Sequence, residues 1–327
     1  MRGDTKGSAL LAVLWLSAAL SAIAFSLAST VGGEIERTST ALDGTRAYYL
    51  ATGALDRALL YMQWGQRYSL PDGSSRYFSR WTTSLHFSFP AGEAVVEIAP
   101  ETARLNLNRT VPEDLFRLLS ALGAGPEQAR GITAAIEDWR GVPREGRLTE
   151  FDRYYLSLTP SFRAPHASFQ NVEELLSVKG MTPELFHGMM AREAQGGLAS
   201  RAGLKDCVSV YGSGGQVDVN TAPAAVLAAI GLDPATVSVI LQQRQVQPFR
   251  SLEQLRVLQL PDFALVRLTI GGSSIYTLRA TARLQLANGK LSDLSRSVGA
   301  TVRFGGSGVE ASYQVLRWWD FMSAGDE

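Results

Sequence analysis

No Asp, Glu, Lys or Arg lies between Lys6 and Glu34, and that uncharged run constrains this chain more than any other feature. From Ser8 to Val31 it is rich in Leu, Ala and Val. As a helix those residues would reach about 36 Å, more than a hydrocarbon core of about 30 Å. Arg2 and Lys6 precede the run, while Glu34 and Glu36 follow it. The amino terminus is therefore expected to stay cytoplasmic and the bulk of the chain to be exported. A cleaved secretory signal has an apolar core of about 7–15 residues. This run is longer, although Ala22 and Ala24 offer a weak cleavage motif. A plain single-span anchor fits the length.

The stretch 34–64 contains no proline, and only Gly44 and Gly53 interrupt it. Ile35, Leu42 and Tyr49 recur every seven residues, and Leu50, Ala54, Ala58 and Tyr61 track along one helical face. The helix is thus expected to leave the bilayer and run on to about Gln63. Beyond it, at about 150 residues per domain, 327 residues leave room for roughly two domains. With 46% hydrophobic and 19% charged residues the chain is ordinary globular material. Equal numbers of acids and bases, 31 each, argue against a generally basic nucleic-acid binder. Cys207 is the sole cysteine, so no intrachain disulfide can form. His86, His166 and His187 show no metal-ligand spacing.

Pro71-Asp72-Gly73 ends the helical region. Tyr77-Phe78, His86 to Phe89 and Ala94 to Ile98 then read as strands. Near the carboxyl end Ile275 to Leu286, Ser295 to Phe304 and Ser312 to Trp319 read likewise. Asn288-Gly289 is expected to be a two-residue hairpin turn, and Gly305-Gly306-Ser307-Gly308 a loop. Trp318 or Trp319 is expected to pack against the core. Between these pieces the chain is mostly helical, and it echoes itself. Asn108 precedes a helix closed by Gly123, with Pro126 and Ile132 next; Asn220, Gly231, Pro234 and Ile240 repeat the order. Phe169, Val172 and Leu175 match Phe249, Leu252 and Leu255. The pattern predicts a duplicated small bundle of the helix-hairpin-helix kind, inserted into one β head.

Chemistry is sparse. Leu122-Gly123-Ala124-Gly125, Val178-Lys179-Gly180-Met181 and Gly231-Leu232-Asp233-Pro234 are hairpin turns whose amides could hold a phosphate. Only Arg130 and Lys179 lie near them, so structural packing is the better reading. Gln128 breaks the dinucleotide fingerprint, and no Walker A motif or G-x-S-x-G elbow occurs. No catalytic set emerges, and the chain is expected not to be an enzyme. One acidic cluster, Asp138, Glu145, Glu150 and Asp152, lies in a loop-rich stretch that could serve calcium. The interleaved Arg140, Arg144, Arg147 and Arg153 could equally satisfy those acids as surface ion pairs.

Lys6-Gly7-Ser8 ahead of the apolar run resembles a type IV prepilin leader, cut by a membrane peptidase between Gly7 and Ser8. Five further stretches join it: Arg104 to Asn108, Ile136-Glu137-Asp138-Trp139, Phe151 to Leu156, Val172 to Thr182, and Val217 to Pro223. Together, and in this order, they resemble the minor pseudopilin K family of the type II secretion system. The resemblance implies an α+β, type IV pilin-like fold: a leader at 1–7, a long helix at 8–65 spanning the membrane at about 8–31, a small antiparallel β-sheet head at 66–105 and 271–320, an inserted α-helical domain at 106–270 with duplicated helix-hairpin-helix (SAM-like) units, and a tail at 321–327. It implies a bacterial inner-membrane, single-pass protein with its bulk in the periplasm, and N-methylation of Ser8 after cleavage.

The implied function is the tip of the periplasmic pseudopilus, helping to initiate and cap it during protein export across the outer membrane. The implied partners are the minor pseudopilins I and J, the major pseudopilin, the prepilin peptidase and the inner-membrane assembly platform. Pseudopilins usually carry a glutamate at the fifth mature position; counted from Ser8 that position is Ala12, and family K resembles this chain in lacking it. A tip subunit has no neighbour above whose terminal charge it must meet, and an unpaired carboxylate in lipid is costly. The family's calcium sites carry over to Asp138, Glu150 and Asp152, although Arg140 to Pro143 stand where further aspartates are usual. No cofactor is otherwise required. Two other classes stay open: a membrane-anchored helix-hairpin-helix receptor for DNA, and a secreted enzyme with a cleaved signal.

Overall fold

A computed structural model describes residues 6–68, 70, 75–142, 147–192, 198–212, 215–258, 260–272, 274–305 and 312–320. The expected turn at 71–73, the loop residues 306–308, the tail 321–327 and leader residues 1–5 lie outside the described residues. Helix α1 (Lys6–Arg67) is followed by strands β1 (Ser84–Phe89) and β2 (Gly92–Pro100). Next come β3 (Leu105–Asn106), α2 (Pro112–Ala121), α3 (Pro126–Arg140), α4 (Glu150–Leu156) and α5 (Pro183–His187), with a short 3-10 turn at Val172–Ser177. A small hairpin, β4 (Gly188–Arg192) and β5 (Leu198–Ala202), leads into α6 (Leu204–Cys207) and β6 (Val208–Ser209). Then follow β7 (Val217–Asp218), α7 (Ala224–Ala229), α8 (Pro234–Val246), α9 (Leu252–Arg256), α10 (Asp262–Arg267) and β8 (Leu268–Thr269). The chain closes with β9 (Ile275–Gln285), β10 (Leu291–Gly305) and β11 (Ser312–Trp319).

The head is a five-stranded antiparallel sheet in the order β1-β2-β9-β10-β11. One face of α1 packs on it. Ala47, Ala51, Ala54 and Ala58 recur at helical spacing and are buried, as are Leu55, Leu59 and Met62. Across from them lie Ala94, Val96, Leu278, Ala280, Ala282, Val298 and Ala300. Small residues on both surfaces let the helix come close to the sheet, where dispersion contacts are most numerous. Trp318 packs at the edge of this core, and its indole donates to Asp320 at 2.8 Å, as does the Tyr48 hydroxyl at 2.9 Å. The β9–β10 connection differs from the two-residue turn expected. Leu286 N–H donates to Lys290 O and Gly289 N–H to Leu286 O, with Gly289 at φ +80. That is a three-residue loop closed by a left-handed glycine. Tyr77-Phe78 forms no strand; Tyr77 instead packs its ring against Tyr61 and Trp64 of α1.

Pro100 of β2 pairs with Tyr276 of β9. Everything between is therefore carried on the end of one hairpin, with both its chain ends side by side. This insert has its own core, built on Leu115, Leu118, Ile132, Ile136, Tyr155, Phe169, Leu204, Leu227 and Ile240. Glu101 fastens it to the head: its buried carboxylate accepts from Thr277 at 2.6 Å, from Ser209 and from Arg104 at 3.2 Å. On the far side Arg317 of β11 donates to Glu173 at 2.7 Å.

Within the insert the same bonds occur twice. Asn108 clasps the backbone of Phe169, donating to its O at 3.0 Å and accepting from its N–H at 2.7 Å. Asn220 clasps Phe249 in the same way, at 2.9 and 2.8 Å. Arg140 at the end of α3 donates to Leu107 O and Thr110 O; Arg244 near the end of α8 donates to Val219 O and Ala222 O. Each unit closes with a parallel two-residue ladder, β3 on β6 and β7 on β8. The insert is not purely helical, however. Hairpin β4–β5 belongs to the first unit and was not expected from sequence.

Candidate functional site

Two places on the chain invite a function: helix α1 and the acidic cluster of the insert. Among the described residues α1 is the one helix long and apolar enough to cross a membrane, by length and composition. Its residues from Leu10 onward are exposed through the apolar half, with Trp15, Ile23 and Phe25 among them. The apolar repeat continues past Glu34. Ile35, Leu42 and Tyr49 are 65%, 49% and 68% exposed, on the side of the helix away from the buried alanine stripe. One face of the outer half is thus sealed against the chain's own sheet, while the other leaves Ile35, Leu42 and Tyr49 uncovered among exposed Thr38, Thr45 and Asp56. An apolar stripe at this spacing is chemically suited to pack against another helix. Gly7 and Ser8, the expected cleavage pair, lie on the first turn of α1. Ala12 stands in the same run of helix.

In the acidic cluster, Asp138 ends α3 and Asp152 opens α4. Thr149 caps α4: its hydroxyl accepts from Asp152 N–H at 3.0 Å, and Asp152 Oδ2 accepts from Thr149 N–H at 3.0 Å. The same hydroxyl donates to Asp138 Oδ2 at 3.2 Å. His166 completes the knot, with Nε2 3.1 Å from Asp152 Oδ1 and Nδ1 2.9 Å from the Asp138 carbonyl. Both Asp152 oxygens are therefore taken. Burial would lower the His166 pKa, but its bonds to Asp152 and to the Asp138 carbonyl outweigh this and raise it. Burial likewise pushes Asp152 up, yet the Thr149 amide and His166 hold it below the usual carboxylate range. Burial raises Asp138, against the Thr149 bond.

Of the three acids expected to serve calcium, Asp138 and Asp152 come together and Glu150 stands apart. Glu150 is 83% exposed and reaches Lys179 at 3.9 Å instead of joining Asp138 and Asp152. Three of the four carboxylate oxygens of Asp138 and Asp152 are held by Thr149 and His166, whereas calcium takes six to eight oxygens. Among the described residues no three acidic, histidine or cysteine side chains gather as a metal site; Glu145 lies outside them. Among the described residues no arginine pairs with Asp138, Glu150 or Asp152. Arg140 is spent on Leu107, Thr110 and Glu137. Sequence reading missed His166 because its partners lie 14 and 28 residues away, with no periodic signal linking them.

The remaining motif residues turn out to be packing and capping groups. Trp139 stacks on Phe169 with ring centres 6.0 Å apart, meets Tyr155 edge-on at 5.6 Å, and donates to Glu174 at 3.3 Å. Glu174 in turn accepts from the amides of Gln170 and Asn171. Lys179 lies 4.7 Å from the centre of the Tyr154 ring, and its amide donates to the Tyr155 hydroxyl at 3.1 Å. Arg130 pairs with Glu127, and Asp233 caps α8 through the amides of Ala235 and Thr236. The first and third of the hairpin turns thus present acids beside their amides, an arrangement that repels phosphate. Cys207 is buried and its thiol is pushed up to about 12, which removes thiolate chemistry.

Comparison with known proteins gives the following. Two family models, both described as Type II secretion system (T2SS), protein K, match residues 103–190 and 217–275. The Type II secretion system protein K of Klebsiella pneumoniae is 29% identical over 208 residues, covering 58% of this chain and 62% of that protein. The chain thus spans less than two thirds of the length of that relative. The protein of the same name from Pseudomonas aeruginosa is 28% identical over 269 residues, covering 77% of this chain and 76% of its own. A chain in the crystal structure of the GspK-GspI-GspJ complex from the enterotoxigenic Escherichia coli Type 2 Secretion System superposes with a TM-score of 0.55 at 18% identity. That superposition covers 86% of this chain and 98% of that one, and shows a shared fold. These likenesses do not support the DNA-receptor alternative.

Proposed function

We propose that this chain, a member of the type II secretion system protein K family, acts as a minor pseudopilin at the tip of a periplasmic pseudopilus. In this reading it is a structural part of a secretion machine and not a catalyst. It joins subunits of the I and J type, the combination named for the structural neighbour. A single span holds it in the inner membrane, amino terminus in the cytoplasm, in keeping with Arg2 and Lys6 before the apolar run and Glu34 and Glu36 after it. The prepilin peptidase cuts between Gly7 and Ser8, and Ser8 becomes the methylated amino terminus. The duplicated units of the insert are helix-hairpin-helix modules whose turns serve packing.

The observation that carries the reading is the division of labour along α1. Its buried alanine face is filled by the head, and its apolar stripe at Ile35, Leu42 and Tyr49 is left for neighbouring helices. The insert, carried on the β2–β9 hairpin, adds bulk that fits an end of a filament better than its shaft. Amino-terminal mass and sequence of the chain, taken from membranes containing its own prepilin peptidase, test this. A mature chain beginning at methylated Ser8 is expected. An intact Met1, or a cut beyond Ala24, would overturn it.

A further inference from the structure

We propose that the seam between the two units of the insert binds a single carboxylate, presented by an acidic side chain of another polypeptide. A cleft of about 130 Å³ lies there. Arg104 and Arg109 reach it from the first unit, Arg267 and the backbone of Gly215 from the second, with Asp114 in its wall. Guanidinium groups stay charged at any pH the protein meets, so their counter-ions decide what the cleft can take.

Two of the three arginines are held and largely neutralised. Arg267 donates Nε to Gly215 O at 3.0 Å and Nη2 to Asp114 Oδ2 at 2.5 Å. Arg104 donates Nε to Asp206 O at 3.2 Å and Nη1 to Glu101 Oε1 at 3.2 Å. These bonds fix both forks while leaving each with one NH2 group unspent. Asp114 is nearly fully buried, and its second oxygen is engaged by Arg117 at 3.5 Å, so it has nothing left to offer Arg109. Among the described residues the Arg109 guanidinium has no counter-ion, and it is exposed at the mouth of the cleft.

The cleft therefore holds about one unit of unspent positive charge, beside donors locked in place before any ligand arrives. Such pre-organised forks suit the two oxygens of a carboxylate. A doubly charged phosphate meets the Asp114 and Glu101 carboxylates in or beside the same wall, which disfavours it. The volume admits a side-chain carboxylate with its adjoining peptide group and little more. This inference does not depend on the chain's place in a pseudopilus.

The test uses the full chain in detergent micelles, labelled with 15N at arginine, so that the arginine Nε–H signals report binding. The probe is the capped tripeptide acetyl-Gly-Asp-Gly-amide, compared with its Asn counterpart, acetate and inorganic phosphate. The Asp peptide is expected to bind at least tenfold more tightly than the Asn peptide, and more tightly than acetate or phosphate. Arg109→Gln is expected to weaken it about tenfold with an unchanged melting temperature. Arg153→Gln, at an exposed arginine of α4 away from the cleft, is expected to leave it unchanged. Equal binding of the Asp and Asn peptides, or equal behaviour of the two variants, would overturn the site. Phosphate or acetate binding as tightly as the Asp peptide would overturn the assignment of its ligand.

Discussion

The two units of the insert share a skeleton and differ in what is hung on it. The second unit, from β7 to β8, keeps the Asn220–Phe249 clasp, the Arg244 tie and the closing ladder without an added arm. The first unit keeps the same three devices and adds an arm through α4 and the hairpin β4–β5. The arm is fastened by the aromatic group Trp139, Tyr155, Phe162 and Phe169 and by the knot of Asp138, Thr149, Asp152 and His166. The bonds common to both units are those a minimal unit needs to close its own backbone. The additions required their own local solution, and here that solution is a histidine and a threonine holding two carboxylates.

The largest effect should come from Trp139→Ala. Removing a buried, stacked indole is expected to cost about 3–5 kcal/mol, read from chemical denaturation of the full chain in detergent. Hydrogen exchange in the same sample asks whether the units are separable. Because the insert has one continuous core, amides of the second unit are expected to lose protection along with the first. Retained protection there would make the two units independent.

Next come the paired clasps. Asn220→Ala strands the buried N–H and C=O of Phe249 and is expected to cost about 2–3 kcal/mol. Asn108→Ala, at a half-buried site that water can partly reoccupy, is expected to cost about 1–2 kcal/mol. Equal losses would mean that the arm seals the first clasp as tightly as the second unit seals its own.

A smaller effect concerns the knot. His166 has its pKa raised above 6.5 in the folded chain, so the stability it lends is complete below about that value and fades as pH rises through the folded value. Asp152 is lowered below 3.8; its contribution is complete above 3.8 and fades as pH falls through its folded value. Asp138, raised by burial, opposes it at the acid end, losing its contribution as pH rises. Amide protection in residues 147–168 should therefore decline by a few-fold on going alkaline from about pH 6, and His166→Gln should remove that decline. An unchanged slope in the variant would assign it to another group. The smallest expected effect is that of calcium: neither millimolar calcium nor a chelator should move the melting temperature of the full chain. A calcium-induced rise that Asp138→Asn abolishes would place a calcium ion at this cluster.

Some of this could be read directly from the chain. Regular elements announce themselves through local periodicity, which is why the ends of β11 and the course of α1 coincide closely with what the residues suggest. The duplication was visible because Asn, Gly, Pro and Phe recur at fixed offsets, each demanded by a backbone conformation or clasp. The Asn288-Gly289 turn was placed correctly but closed by three residues, since register depends on which strand residues pair across the turn.

What the sequence by itself determined was the long apolar helix, the order of head and insert, and the twofold repeat, because each rests on residues near one another in the chain. The tertiary structure alone decided the rest. His166 meets Asp138 and Asp152 through a fold-back that no spacing encodes. Glu101 finds Thr277, 176 residues away, only because β2 and β9 pair. The arginines of the seam come from both units and share one cleft only after the units have packed. Charge and hydrogen-bond complementarity between distant residues leave no periodic trace, since only the folded chain brings the partners within a few ångströms.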